Sequence, residues 1–246
     1  MSRVTVSASG KGGVGKSTVA VHMSRILAAQ EKRVLVVDAD AGLRSIDMML
    51  GISDAVAYDL GDVLKARCTP AQALCRVPGA GDLFAVAAPQ VCEETGSPGG
   101  LRKLLHGYAR YFDYVFVDCP AGLDEGFKKV ADAADDALVV CTPDLLCARD
   151  AQLAGEYFRS RGIPARLVIN RLRTDPIRRG LLPDIDQIID AAGLQLIAVI
   201  PDDEVLAQAN ADGTAPREDS RALYCLENLV ARYQGEEVPL APLEKW

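Results

Sequence analysis

The segment Gly10-Lys11-Gly12-Gly13-Val14-Gly15-Lys16-Ser17-Thr18 constrains the fold of this chain more than any other feature. It satisfies G-x-x-x-x-G-K-[ST]. The β-branched run Val4–Ala8 precedes it, and from Ser17 to Gln30 the apolar positions Val19, Val21, Met23, Ile26 and Leu27 sit mostly at helical spacing. A strand, a glycine loop and a helix in that order make a phosphate cradle. Glycines let successive N–H groups curl inward, and the helix N-terminus adds partial positive charge. Gly12, Gly13, Val14, Gly15 and Thr18 would line that cradle. Lys16 would bridge the β- and γ-phosphates, and the Ser17 hydroxyl would hold Mg²⁺.

The same residues also spell G-x-G-x-x-G at Gly10, Gly12 and Gly15, the fingerprint of dinucleotide binding, with Asp38 ending the next strand. That reading has no use for Lys16-Ser17 or for a second strand-end aspartate at Asp118. Nucleoside triphosphate is therefore the ligand class the loop favours.

Further along, Val34–Val37, Val115–Val117, Ala137–Cys141, Arg166–Ile169 and Leu196–Ile200 are short, continuous apolar runs. Uninterrupted hydrophobicity marks strands covered on both faces, as in parallel sheets flanked by helices. Helical stretches are expected at Leu101–Tyr111, Leu145–Arg161, Asp184–Ala192, Asp203–Ala211 and Ser220–Tyr233. Strand–helix repetition at this spacing predicts one α/β domain: a mostly parallel central sheet with helices on both faces. No repeat, linker or low-complexity segment divides the chain. Residues 1–237 are expected to form the domain and 238–246 an irregular tail.

Composition narrows the function. No apolar run approaches the roughly eighteen residues a membrane span needs, and no secretory leader opens the sequence. The seven cysteines are odd in number and scattered, which fits reduced thiols in a cytoplasmic protein. Net charge is −7, and from Pro201 onward ten acidic residues face four basic ones. DNA is an unfavoured partner on that balance.

Asp38, Asp40 and Asp118 all follow apolar strands, so they project from the carboxyl edge of the sheet, where open α/β folds bind ligands. Carboxylates beside a triphosphate repel it unless Mg²⁺ lies between. At least one of these carboxylates is therefore an expected metal partner, directly or through water; Asp118 is the first choice, and Asp38 and the Ser17 hydroxyl are the other candidates. Asn170, at a strand end, can offer both a donor and an acceptor to adenine, and no N-K-x-D guanine signature is present.

Lys11, after the first glycine, makes K-G-G-x-G-K-[ST], which resembles the deviant Walker A motif of the MinD/ParA ATPases. The segment Asp38-Ala39-Asp40-Ala41-Gly42-Leu43-Arg44-Ser45-Ile46-Asp47 is similar to the family's switch I, D-x-D-x-G-L-R-x-x-D. Asp118-Cys119-Pro120-Ala121-Gly122 resembles its D-[ST]-P-A-G, with cysteine in the hydroxyl position. Asn170-Arg171 resembles the adenine-contacting pair, and Pro201-Asp202-Asp203-Glu204-Val205 the loop closing over the base. Arg149 and Asp150 match positions near the regulator-binding surface. The likeness spans residues from about 3 to 237 and points to the MinD branch more than to ParA or the flagellar-number ATPases.

That resemblance implies a Mg²⁺-dependent ATPase, binding ATP and ADP, that dimerises with ATP and serves septum placement. Lys11 would reach the partner's nucleotide and Asp40, in switch I, would orient the attacking water, so Lys11, Lys16 and Asp40 become the catalytic set. Base contacts would come from Asn170, Arg171, Pro201, Asp202 and Val205. Regulators of the MinC and MinE type are implied, with slow turnover and a peripheral place at the inner face of the cell membrane. One feature departs from the family: residues 238–246 hold Pro239 and Pro242 and cannot form the usual basic amphipathic helix. The rival expectations are a DNA-segregating or flagellar-number ATPase, and a scaffold that holds nucleotide with negligible turnover.

Overall fold

A computed structural model describes residues 2–42, 44–89, 98–180 and 182–241, with Pro98 and Arg178 described by backbone alone. Leu43 of the expected switch I segment and residues 242–246 of the tail lie outside the described residues.

The chain begins β1 (Val4–Ala8), α1 (Lys16–Ala29), β2 (Val34–Asp38) and α2 (Ser45–Met49). Next come α3 (Leu60–Leu64), β3 (Cys75–Arg76), β4 (Leu83–Val86) and α4 (Pro98–Tyr108). After these stand β5 (Tyr114–Asp118), α5 (Glu125–Ala131), β6 (Asp136–Cys141) and α6 (Leu145–Ser160). The last third holds β7 (Ala165–Leu172), α7 (Thr174–Arg178), α8 (Ile185–Ala192), β8 (Gln195–Pro201), α9 (Glu204–Asp212) and α10 (Arg221–Tyr233).

Among the described residues the strands form one sheet in the order β3-β4-β2-β5-β1-β6-β7-β8. Every pairing is parallel except β3 with β4, at the edge. The expected architecture is the observed one. β1, β2 and β6 are buried along their whole length, as their unbroken apolar runs require. Helix packing explains the rest of the core: Val19, Met23 and Leu27 of α1 are buried, as are Phe127 of α5 and Phe158 of α6, whose rings meet edge-on at 5.7 Å.

The expected strands and helices are present, with ends shifted by a few residues. The short elements β3, β4, α2, α3, α5 and α7 were not legible. Leu83–Val86 is only four residues long, and Glu125–Ala131 carries too few apolar positions to show a helical period. β7 corrects one expectation. It does not stop at Ile169 but runs to Leu172 through a register irregularity, and Arg171 sits there in the left-handed region at φ 57°.

The described part of the tail folds back. Arg232 Nε donates to Val238 O at 2.7 Å, its guanidinium also reaches Ile197 O at 2.9 Å, and Ala241 is buried.

Candidate functional site

The loop between β1 and α1 is shaped by its glycines. Gly13 and Gly15 have φ of 77° and 99°, which a side chain would strain. Gly10 is needed for another reason: a Cβ there would lie 2.6 Å from Asp150 Cβ and 2.8 Å from Asp150 O. The phosphate loop thus rests directly on α6. Ser7 Oγ donates to Lys16 O at 3.0 Å and Ser9 Oγ to Lys11 O at 2.7 Å, fixing both ends of the curl. Gly15 is the N-cap of α1 and supplies no side-chain acceptor, so the helix opens without a side-chain cap. The first-turn N–H groups of a helix have no acceptor within it, and an anion can satisfy them.

Lys16 and Lys11 are placed in opposite ways. Lys16 is 6% exposed, and its ammonium opposes the upward shift of the Asp40 and Asp118 carboxyls. Lys11 is exposed, and its ammonium makes no hydrogen bond or ion pair among the described residues.

Strand register sets the carboxylates. Asp38 and Asp118 end neighbouring strands and are directly paired in the β2–β5 register. Both are fully buried. Burial, and then the Asp38 charge, push Asp118 up to about 8, with the Ser17 hydrogen bond and Lys16 working against them. Asp38 is pushed up to about 6, chiefly by burial, against donations from Asp40 N at 3.0 Å and Ile46 N at 3.2 Å. Its two oxygens are therefore spent on shaping the loop after β2. Asp118 differs: Oδ2 accepts from Ser17 Oγ, while Oδ1 is buried without a hydrogen-bond partner. Ser17 Oγ also accepts from Ser45 Oγ at 3.1 Å.

An orphaned carboxylate oxygen beside a threefold hydroxyl–carboxylate junction is what a cation satisfies. Among the described residues no three His, Cys, Asp or Glu side chains converge as a metal cage. Mg²⁺ keeps its waters and takes one or two protein groups plus phosphate oxygens, a number that Ser17 and Asp118 could supply. Asp40 stands at the rim, half-buried, with its carboxyl raised by burial against the pull of Lys16. Cys119 is no candidate ligand: its buried thiol points at Phe127 O across 3.8 Å, and burial lifts it well above the usual thiol range.

The expected base contacts are only partly brought together. Pro201 and Asp202 line a cavity of about 390 Å³ with Leu172, Arg173, Glu204 and Arg221. Asn170, Arg171 and Val205 do not line it. Asn170 is buried beneath the phosphate loop and its Nδ2 donates to Val14 O at 2.8 Å. Arg149 is exposed near the start of α6, where Leu145 and Leu146 are also exposed, the latter at 70%. A larger cleft of about 460 Å³ lies at the opposite edge of the sheet, between Arg3, Asp136, Arg166 and Tyr233. It shares no residue with the phosphate loop.

Sequence reasoning missed two anchors. Ser45 ties the loop after β2 to Ser17. Asp203 accepts from Val205 N and Leu206 N through one oxygen, and from Ser220 Oγ and Ala222 N through the other. Burial raises the Asp203 carboxyl, but those donors outweigh it and leave the group below the usual carboxylate range. The Asp-before-helix signal for a cap was present in the sequence; its second helix was not.

The model of the CobQ/CobB/MinD/ParA nucleotide binding domain matches residues 5–216. The septum site-determining protein MinD of Bacillus subtilis is 37% identical over all of this chain and 94% of its own. MinD of Thermotoga maritima is 34% identical over 98% of this chain and 91% of its own. The chain belongs to the MinD family. A MinC:MinD cell division protein complex from Aquifex aeolicus contains a chain that superposes at a TM-score of 0.90. It is 30% identical and covers 98% of this chain and 99% of that one. The chain thus has the fold of the MinD-family ATPases.

Proposed function

We propose that this chain is a MinD-type switch in division-site placement, which binds ATP with Mg²⁺, dimerises in that state and hydrolyses ATP slowly until a partner accelerates it. The observation that carries the reading is the contrast between the two loop lysines. Lys16 is buried among carboxylates in its own site, whereas the Lys11 side chain stands out in solvent, its ammonium with no hydrogen bond or ion pair among the described residues. A cation that its own site leaves unused is suited to a second protomer's phosphates.

Within one protomer, Gly12, Gly13, Val14, Gly15 and Thr18 supply the phosphate cradle, and Lys16 neutralises the charge that builds during phosphoryl transfer. Bound Mg²⁺ would be held by Ser17, with Asp118 and then Asp38 behind it, and would screen the phosphates from those carboxylates. Asp40 orients and accepts a proton from water. Pro201 and Asp202 face the base, Val205 and Arg171 flank it, and Asn170 acts first on the loop. Residues 1–237 form the working unit and 238–246 its tail.

The likeness to the Aquifex aeolicus complex supports a partner of the MinC type, and the exposed Leu145, Leu146 and Arg149 beside the phosphate loop suit such a surface. A MinE-type activator and a peripheral membrane site belong to the same reading. No described helix is long and apolar enough to cross a membrane. Mass measurement by light scattering on Asp40→Ala tests the switch: a dimer with Mg-ATP and a monomer with Mg-ADP are expected. A monomer in both states contradicts it.

A further inference from the structure

The helix after the phosphate loop carries two side chains that tie distant parts of the site together. Arg25, on α1, donates through one guanidinium nitrogen to Met49 O at 3.3 Å and to Gly213 O at 3.1 Å. Met49 is the last residue of α2 and Gly213 the left-handed C-cap of α9. One cation therefore sits at two helix C-termini, where unpaired carbonyls concentrate partial negative charge. The helices also touch through backbone. A Cβ on Gly213 would fall 2.7 Å from Gly51 Cα and 2.9 Å from Met48 O, so contact this close needs glycine there. A second tie lies one turn earlier on α1. His22 is buried and neutral, held down to about 4 mainly by burial, and its Nε2 meets Asn210 Oδ1 at 2.7 Å. Asn210 Nδ2 in turn reaches Thr18 Oγ1 at 3.5 Å.

Each helix joined in this way begins at the site. The first turn of α2 holds Ser45, bonded to Ser17, and Ile46 N, bonded to Asp38. The loop Pro201–Asp203 leads into α9, which Asp203 caps. From these bonds we infer that Arg25 is a positioning residue, coupling the base loop and α9 to α2 and so to the magnesium side of the site. The inference rests on the nucleotide reading above. Closing the loop over a base steadies α9; α9 holds Gly213; Arg25 and the Gly51–Gly213 contact hold the C-terminal end of α2. Triphosphate alone, lacking a base, leaves that chain of contacts unloaded.

Hydrogen exchange on the whole chain tests this, comparing Mg-ADP with Mg-pyrophosphate. In the unaltered protein, ADP should slow exchange of residues 45–51 about tenfold more than pyrophosphate does, the effect of firming two charge-assisted hydrogen bonds. In Arg25→Gln that base-dependent increment should vanish, while ADP still protects residues 10–18. An increment that is undiminished in Arg25→Gln, or absent from the unaltered protein, overturns the coupling. No protection of residues 10–18 by ADP in the unaltered protein overturns the nucleotide reading instead. If Arg25→Gln does not fold, Arg25→Lys serves, because it keeps the charge but cannot span both carbonyls. Its increment should fall to about threefold, and an unchanged value again overturns the proposal.

Discussion

Asn170 lies under the phosphate loop with its Nδ2 donating to Val14 O across 2.8 Å, and a Cβ on Gly15 would run into the same nitrogen. The bond joins β7 to the curl that forms the cradle, so the loop's shape depends on a residue that follows it by 156 positions. Asn170→Ala leaves a buried carbonyl without its donor, a loss of about 1–2 kcal/mol. ADP affinity, measured by titration calorimetry, should weaken by roughly tenfold, with the enthalpy less favourable. Unchanged affinity would show that the loop holds its shape unaided.

Gly10 meets α6 in a similar way. Gly10→Ala forces a Cβ against the Asp150 backbone, which cannot swing aside as a flexible side chain would. Overpacking of this kind costs about 1–3 kcal/mol. A drop in Tm together with weaker ADP binding is expected. Full stability with normal binding would mean that the loop and α6 separate freely.

Burial gives the nucleotide-free protein an unusual pH profile. Asp118 and Asp38, at about 8 and 6, hold protons that the unfolded chain has already released. Their effect on stability is therefore a loss as pH rises from about 4 to 8. His22 works the other way: its folded value of about 4 lies below the ordinary 6.5, so stability is lost as pH falls through that interval, by on the order of 3 kcal/mol. Urea unfolding at several pH values checks both signs. Asp118→Asn should flatten the alkaline loss and His22→Gln the acid one; slopes identical to the unaltered protein would contradict the assignment.

The orphaned Asp118 Oδ1 makes a further prediction. If Mg²⁺ is held beside Asp118, its binding with ADP near pH 7 must drive off the proton that burial retains. Calorimetry in two buffers of different ionisation enthalpy should report net proton release, reduced in Asp118→Asn. Equal release by both proteins would place the metal away from this carboxylate.

The sheet was legible because Val34–Val37, Val115–Val117 and Ala137–Cys141 are unbroken apolar runs, and the phosphate loop because its glycines and Lys16-Ser17 carry chemistry in a fixed order. Asp38 and Asp118 could be read as strand ends, but not as direct register partners, since register is a property of the folded sheet. Asn170 showed its residue type and place but not its direction. The side chain turns inward to Val14 O, and β7 continues past it through a register irregularity. Ser45, Arg25 and the second helix of Asp203 were silent for a related reason. Their bonds cross between α1, α2, α9 and α10, and no local period announces a contact of that range.

Lys11 is proposed to complete the partner's site, and mixing two inactive variants tests this most directly. Lys11→Ala keeps Asp40 and its own cradle; Asp40→Ala keeps Lys11. Each alone should bind ATP and turn over little. Mixed in equal amounts, the pair should regain phosphate release, because the Asp40→Ala protomer lends its Lys11 to the site that still holds Asp40. A mixture as inactive as its parts, or a Lys11→Ala protein that hydrolyses ATP normally by itself, would contradict the account.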